Sequence, residues 1–244
     1  MSVVAIIAAA GSGTRLGSQG AKALVELGGI PLIVHAVRSM ERAACVERVV
    51  VSAPADSLDS FRQVLDAAGY TDDGDFPVTV VAGGETRQAS VSRALDASGD
   101  CDYVLIHDAA RPLTPPEVIE RVVSALQSGE RAVIPAIPVV DTIKEVSSRT
   151  TSGERDGEVE EVVSTPQRSK LRAVQTPQGF DTALLREVHA QFAERAVSEE
   201  SAASDDATLV EQAGETVAVV AGSERSLKIT HPLDLTLCEF LSAH

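Results

Sequence analysis

The 244 residues carry 36 acidic and 21 basic side chains, a formal net charge of -15, and 44% of them are hydrophobic. A field of that sign repels a nucleic-acid backbone and no run of basic residues offsets it, so binding to a nucleic-acid polymer is disfavoured. A small anion is still admissible in a local pocket of Arg, Lys and backbone N–H groups. Cys45, Cys101 and Cys238 are isolated and odd in number, which gives neither a disulfide framework nor a metal spacing.

The apolar start, MSVVAIIAAAGSGTRLG, breaks after ten residues. It is too short for a bilayer span and lacks a signal-peptide layout, so a soluble, reducing, cytoplasmic setting without membrane contact is expected. With no Trp, two Tyr and five Phe, the core must be built from Val, Leu, Ile and Ala, as buried parallel strands and their covering helices usually are.

Residues 3–10, VVAIIAAA, predict a buried first strand ending in a Gly-rich turn. Helical apolar spacing follows over 31–43, then a strand over 46–54, a helix around 56–68 and a third strand, FPVTVVAGG. Further along, 86–97 predicts a helix, 102–107 a strand, 115–128 a helix and RAVIPAIPV a strand. Residues 145–161, EVSSRTTSGERDGEVEE, break the rhythm: they are polar, charged and nearly free of apolar anchors. They predict an exposed loop or the tip of a β-arm. The chain resumes over 165–176, with helices over 181–195 and 205–213, a late strand ETVAVVAG and a closing helix entered through Pro232. Strand and helix alternating in this way predict an α/β fold, doubly wound, with a mostly parallel sheet and a protruding arm or loop. The whole of 1–244 reads as one domain, and ligands in such sheets sit beyond the carboxyl ends of the strands.

Candidate residues fall at those ends. In AAAGSGTRLG, followed by Lys22, a buried strand delivers Gly11 and Gly13 to a turn whose backbone N–H groups can face a polyphosphate. Arg15 and Lys22 add full charges. A dinucleotide fingerprint needs a small residue where Leu16 stands, and a phosphate-loop NTPase needs Gly-Lys-Ser or Gly-Lys-Thr, whereas Lys22 lies between Ala21 and Ala23. GGETRQAS (83–90) repeats the device with Gly83, Gly84, Arg87 and Ser90, a place where backbone and a hydroxyl can read a base edge. HDAARP (107–112) sets Asp108 at a strand end for a metal or a hydroxyl, with Arg111 suited to a phosphate. His107 beside it is read as a structural histidine with a hydrogen-bond partner. PVVDTIK offers Asp141, Thr142 and Lys144; Arg168 lies past the polar insertion; RSLKITHP offers Lys228; and in SDDATLVE, Ser204 and Asp205 suit a helix cap.

In order, AAAGSGTRLG…K, GGETRQAS, HDAARP, PVVDTIK, VQTPQGF, SDDA and LKITHP resemble the 2-C-methyl-D-erythritol 4-phosphate cytidylyltransferases, over nearly the whole chain. The resemblance implies that the loop with Gly11, Gly13, Arg15 and Lys22 wraps the triphosphate of CTP, Arg15 and Lys22 stabilising the reacting phosphates. It assigns cytidine recognition to Ala8, Ala9 and Ala10 with Gly83, Gly84 and Ser90. Asp108, Arg111, Thr142 and Ser204 fall to ribose or polyol-phosphate contacts, and Lys228 to the transferred group. It further implies Mg²⁺, held mainly by CTP phosphates with Asp108 as a candidate ligand. A homodimer arm within 138–167 would carry Arg168 to the partner's substrate. The chain departs from the pattern at Ala21 before Lys22, Glu85, Ser204 and Leu227, and its 145–161 segment is long and acidic. Ribitol 5-phosphate as acceptor, a uridylyl- or guanylyltransferase, and a silent binding module on the same scaffold are the competing readings.

Overall fold

The computed structural model describes residues 1–11, 20–149, 159–197, 203 and 205–243. Gly13, Arg15 and Ser204 lie outside these residues. The central sheet has eight strands. β1 (Val3–Ala8) pairs in parallel with β4 (Arg48–Ala53) on one side and β6 (Tyr103–Asp108) on the other, and β4 continues in parallel to β5 (Val78–Ala82). Beyond β6 the direction reverses. β11 (Gln178–Asp181) runs antiparallel to both β6 and β7 (Ala132–Pro138). β7 also carries β12 (Ala218–Ala221) in parallel and β10 (Arg172–Val174) antiparallel. The expected doubly wound, mostly parallel sheet is therefore present, with two short reversed strands at its far side.

Alternation along the strands explains the two layers. Val3, Ala5, Ile7, Val49, Val51 and Leu105 pack with α1 (Leu32–Arg42), α2 (Leu58–Ala67) and α4 (Pro116–Gln127), through Met40, Phe61, Leu65 and Val122. Val4, Ile6, Val50, Val104 and Ile106 point the other way. They pack with α3 (Arg87–Ala97), α5 (Thr182–Gln191) and α6 (Asp206–Gln212), through Leu95, Leu184, Val188 and Leu209. Strands buried on both faces read as unbroken apolar runs, and each fully buried Val, Leu or Ile contributes roughly 1.5–3 kcal/mol.

Two local features escape the apolar period. β2 (Glu26–Leu27) and β3 (Ile30–Pro31) form a hairpin around Gly28 and Gly29, with φ of 61° and 77°. A two-residue turn of that hand requires positive φ at both positions, which glycine supplies without a Cβ penalty. The hairpin and α7 (Pro232–Ala243) close a small cluster of Leu27, Leu32, Ile229 and Cys238. The second feature is the arm. β8 (Glu145–Arg149) and β9 (Val159–Ser164) pair antiparallel as a separate ribbon, so the β-arm reading holds for its described part. Ser164 Oγ donates to Glu145 Oε2 at 2.6 Å and Lys144 Nζ to Thr165 Oγ1 at 2.7 Å, tying its base.

Candidate active site

Strand register sets the floor of the site. Ala8, the last residue of β1, lies level with Ser52 of β4 and Asp108 of β6, and Ala53 lies level with Ala82, one residue before Gly83. The carboxyl ends of the four parallel strands thus finish together, as expected for a ligand crevice. Ala9 N–H donates to Ser52 O (2.9 Å) and Gly83 N–H to Ala53 O (2.7 Å), carrying the ladder one step past the strands.

The turn after β5 lies against the end of β1. A Cβ on Gly83 would come within 2.9 Å of Ser90 Oγ and 3.0 Å of Ala10 Cβ, and one on Gly84 would collide with Ala89. Both glycines are there for close approach of backbone, because neither has room for a side chain. Ser90 is buried and its hydroxyl is engaged: it accepts from Gly84 N–H (3.0 Å) and donates to Thr86 O (2.8 Å). In this state it shapes the Gly83–Gly84 turn. Arg93 Nη1 braces the same turn at Gly83 O, 2.5 Å. The site therefore brings Ala8, Ala9, Ala10, Gly83, Gly84 and Ser90 together.

Asp108 is the electrostatic centre. Lys228 Nζ lies 2.7 Å from its Oδ2 and Arg87 Nε 3.6 Å from its Oδ1. Burial alone would push its carboxyl up, but the charges of Arg87, Lys228 and Arg111 outweigh that and hold it well below the usual carboxylate range. Lys228 reaches this position because Ile229 is buried and its N–H donates to Ala110 O at 2.8 Å. Lys22 donates its backbone N–H to Gly11 O (3.2 Å). Its charge also acts on Asp234, whose carboxyl is held low first by the His231 backbone N–H. Lys22 is thus near the start of α7, the helix that follows Lys228 in sequence.

Arg111 is tethered at both guanidinium ends, Nη1 to Ser226 O (2.6 Å) and Nη2 to Val174 O (3.1 Å). It pins the Lys228 segment to β10 while adding charge beside Asp108. His107 is fully buried with both nitrogens engaged, Nδ1 at 3.0 Å from Thr176 Oγ1 and Nε2 at 3.2 Å from Arg111 O. A carbonyl only accepts, so Nε2 carries the proton; Thr176 then donates to Nδ1 and accepts from Asp108 N–H at 3.1 Å. Desolvation takes the His107 pKa down to about 4. The structural-histidine reading is borne out, and Thr176 is a polar group the sequence did not single out.

Two expected residues stand apart. Thr142 is exposed in the link from β7 to the arm, and exposed Arg168 donates Nη1 to Val140 O at 2.7 Å, bracing the arm's base. Asp205 caps α6, accepting from Thr208 N–H at 2.9 Å. Its neighbour Asp206 turns inward instead, 1% exposed, with Oδ2 at 2.7 Å from Arg87 Nη1 and Oδ1 at 2.9 Å from His189 Nε2. Burial raises the Asp206 carboxyl, but Arg87 and His189 outweigh it and the group stays low; Asp206 and Asp108 in turn raise Arg87 against its own desolvation. Asp206 and His189 were not legible as site residues. The available signal was the pair of adjacent Asp in SDDA, of which a helix start uses only one as its cap.

A mostly parallel sheet with Gly11 beyond β1, a glycine pair beyond β5 and a lysine–aspartate pair at the end of β6 defines a nucleotidyltransferase-type α/β protein. A family model described as 2-C-methyl-D-erythritol 4-phosphate cytidylyltransferase matches residues 3–243, and the chain belongs to that family. The protein of that name from Streptomyces coelicolor is 46% identical over 240 residues, covering 98% of this chain and 84% of its own. The one from Rhodococcus opacus is 46% identical over 239 residues, covering 98% and 94%. Among solved structures, the 2-C-methyl-D-erythritol 4-phosphate cytidylyltransferase of Thermus thermophilus is 35% identical with a TM-score of 0.74, covering 100% of both chains. The 4-diphosphocytidyl-2C-methyl-D-erythritol synthase of Anaerococcus prevotii is 26% identical with a TM-score of 0.78, covering 100% and 99%.

Proposed function

We propose that this chain transfers the cytidylyl group of CTP to 2-C-methyl-D-erythritol 4-phosphate, releasing pyrophosphate, as a step in isoprenoid precursor synthesis. The observation that carries the reading is the Lys228–Asp108 pair, with the charge of Arg111 beside it, at the strand ends next to the Gly83–Gly84 turn. The acceptor phosphate is already ionised at neutral pH. One of its oxygens forms a bond to the α-phosphorus of CTP in line with the bond to the leaving pyrophosphate, which breaks. No side-chain base is required, and His107, neutral with both nitrogens occupied, is not placed to act as one. Both reactants are anions, so the work of the protein is orientation and charge compensation.

The cytosine and ribose would lie across Ala8, Ala9, Ala10, Gly83 and Gly84, with Ser90 holding the turn. The triphosphate would be wrapped by the loop carrying Gly11, Gly13, Arg15 and Lys22. Asp108 has an oxygen for a hydroxyl, and Lys228 and Arg111 meet the transferred group and the acceptor phosphate. Thr142 and Ser204 would bound the acceptor. Among the described residues no group of three or more His, Cys, Asp or Glu is arranged to hold a metal. This donor set fits Mg²⁺ carried mainly by phosphate oxygens, with Asp108 as a candidate carboxylate, rather than an all-protein cage. Bound there, the ion would neutralise charge on the triphosphate.

The arm supports a homodimer. Val140, Ile143, Val146, Val162 and Val163 are 41–78% exposed around it, an apolar surface that a second copy would cover. The arm within 138–167 would then carry Arg168 toward the partner's acceptor, on a chain that is otherwise one domain. Among the described residues no helix is long and apolar enough to cross a membrane. Pyrophosphate release with CTP and Mg²⁺, measured separately with methylerythritol 4-phosphate and ribitol 5-phosphate, tests the proposal. Turnover with the first alone supports it; turnover with ribitol phosphate alone, or with neither, rejects it.

A further inference from the structure

We infer that Asp206, backed by His189, is a positioning residue that holds Arg87 away from Asp108 and so keeps one Asp108 oxygen open to the ligand. The inference rests on the reading of Asp108 as a ligand-facing carboxylate.

The geometry is asymmetric. Arg87 Nη1 meets Asp206 Oδ2 at 2.7 Å, a charge-assisted hydrogen bond, whereas its Nε is 3.6 Å from Asp108 Oδ1, beyond hydrogen-bond reach. Arg87 thus contributes its charge to Asp108 without taking up the lone pairs of Oδ1. Lys228 occupies the other oxygen, Oδ2. A guanidinium left beside a lone carboxylate tends toward the two-pronged pairing that Arg and carboxylate geometry favours, and that pairing would occlude both oxygens. Asp206 competes against it.

Asp206 is itself held from three sides. It occupies the first turn of α6, whose N-terminus favours a negative charge. Gln178, 1% exposed, fastens that terminus to β11 by donating Nε2 to Asp205 Oδ2 (2.7 Å) and accepting from Ala207 N–H (3.1 Å). His189, 4% exposed, meets the second Asp206 oxygen at 2.9 Å. A carboxylate needs a donor, so Nε2 carries the proton. His189 Nδ1 is buried without a hydrogen-bond partner among the described residues, so the Asp206 contact is the ring's anchor among them. From half-exposed Lys228 through Asp108, Arg87 and Asp206 the charges alternate and sum to zero, so each of the more buried groups has an opposite neighbour.

Ligand-free crystal structures of the wild type and Asp206→Asn give the first test. With the charge at 206 removed, Arg87 should move onto Asp108 and close to normal hydrogen-bond distance; an unmoved Arg87 would overturn the inference. Steady-state kinetics give the second. D206N should lower kcat/KM for the polyol phosphate about tenfold, within the range for directly coupled neighbours, and the loss should largely vanish when Arg87→Gln is the background. An equal loss in both backgrounds means that Asp206 acts on the fold rather than through Arg87, and rejects the inference. Should D206N not fold, His189→Leu removes one support and should show the same displacement and a loss of about threefold, while His189→Gln, which keeps an N–H donor, should restore activity to within about twofold. A wild type silent with every acceptor would refute the proposed reaction, and the crystal comparison would still decide where Asp206 holds Arg87.

Discussion

Acidification from about pH 8 to about pH 5 should weaken the fold through His107, and the size of the loss follows from its environment. Its ring is buried and neutral, with a pKa of about 4, against the ordinary 6.5 of an exposed histidine. The unfolded chain therefore takes up a proton near 6.5, while the folded chain resists until about 4, so stability is full above that window and falls as pH drops through it. Integrated from pH 8 to pH 5, the linkage amounts to about 2 kcal/mol, a substantial share of the roughly 5–15 kcal/mol that separates most folded domains from their unfolded chains. The structural reason is that a proton on Nδ1 faces Thr176 Oγ1, whose own proton it must displace from the chain running to Asp108 N–H. Half-buried His35 titrates with the same sign, its pKa lowered first by desolvation, so the comparison must be differential. Urea unfolding of the ligand-free wild type and His107→Gln at both pH values isolates the term. The wild type should lose about 2 kcal/mol more than the variant; equal losses would refute the assignment of a neutral, doubly bonded His107.

Three further outcomes follow from the site. Lys22→Ala should lower the single-turnover rate at saturating CTP by about a hundredfold while CTP affinity changes far less, because a charge aimed at the reacting phosphates acts most in the transition state. An unchanged rate would remove Lys22 from the chemistry. Arg111→Ala should raise the KM for the polyol phosphate about tenfold or more, as expected for losing a charge-assisted contact, and leave that for CTP nearly fixed; a defect confined to CTP would reject the placement. Ser52→Ala should raise stability by about 1 kcal/mol in a thermal or urea melt, since the Ser52 hydroxyl is fully buried without a hydrogen-bond partner among the described residues. Destabilisation by a similar amount would show that the hydroxyl has a partner.

Much of this arrangement was written locally. Strands buried on both faces leave continuous apolar runs, and the glycines that follow β1 and β5 mark where the runs stop, so the ends of the parallel strands could be located to within about two residues. Asp108 was legible because it ends such a strand, and Lys228, just before the last helix, because it falls in a segment that carries the resemblance. The reversed strands were not: RAV and QGFD are too short to show a period, and their direction comes from pairing with β7 and β6. The link between Arg87 and Asp206 crosses 119 positions of sequence, and an acidic residue at a helix start already has a sufficient local explanation. Ser90 carries bonds that the sequence did not show: besides the base-edge role expected of it, its hydroxyl holds the turn that would meet the base.

The charge of the site differs from that of the chain in organisation more than in sign. Lys228 and Arg87 are held by Asp108 and Asp206, and Lys22 acts within reach of Asp234, so the cations are largely paired before any ligand arrives. Pairing limits the desolvation cost of burying them, and a net charge of -15 around them repels anions that cannot make specific contacts. An entering phosphate must therefore compete with carboxylates already in place, and it succeeds only where its geometry matches several donors at once. That places discrimination in the exchange of partners around Asp108, which is why a residue such as Asp206, out of reach of any ligand, can matter to what the site accepts.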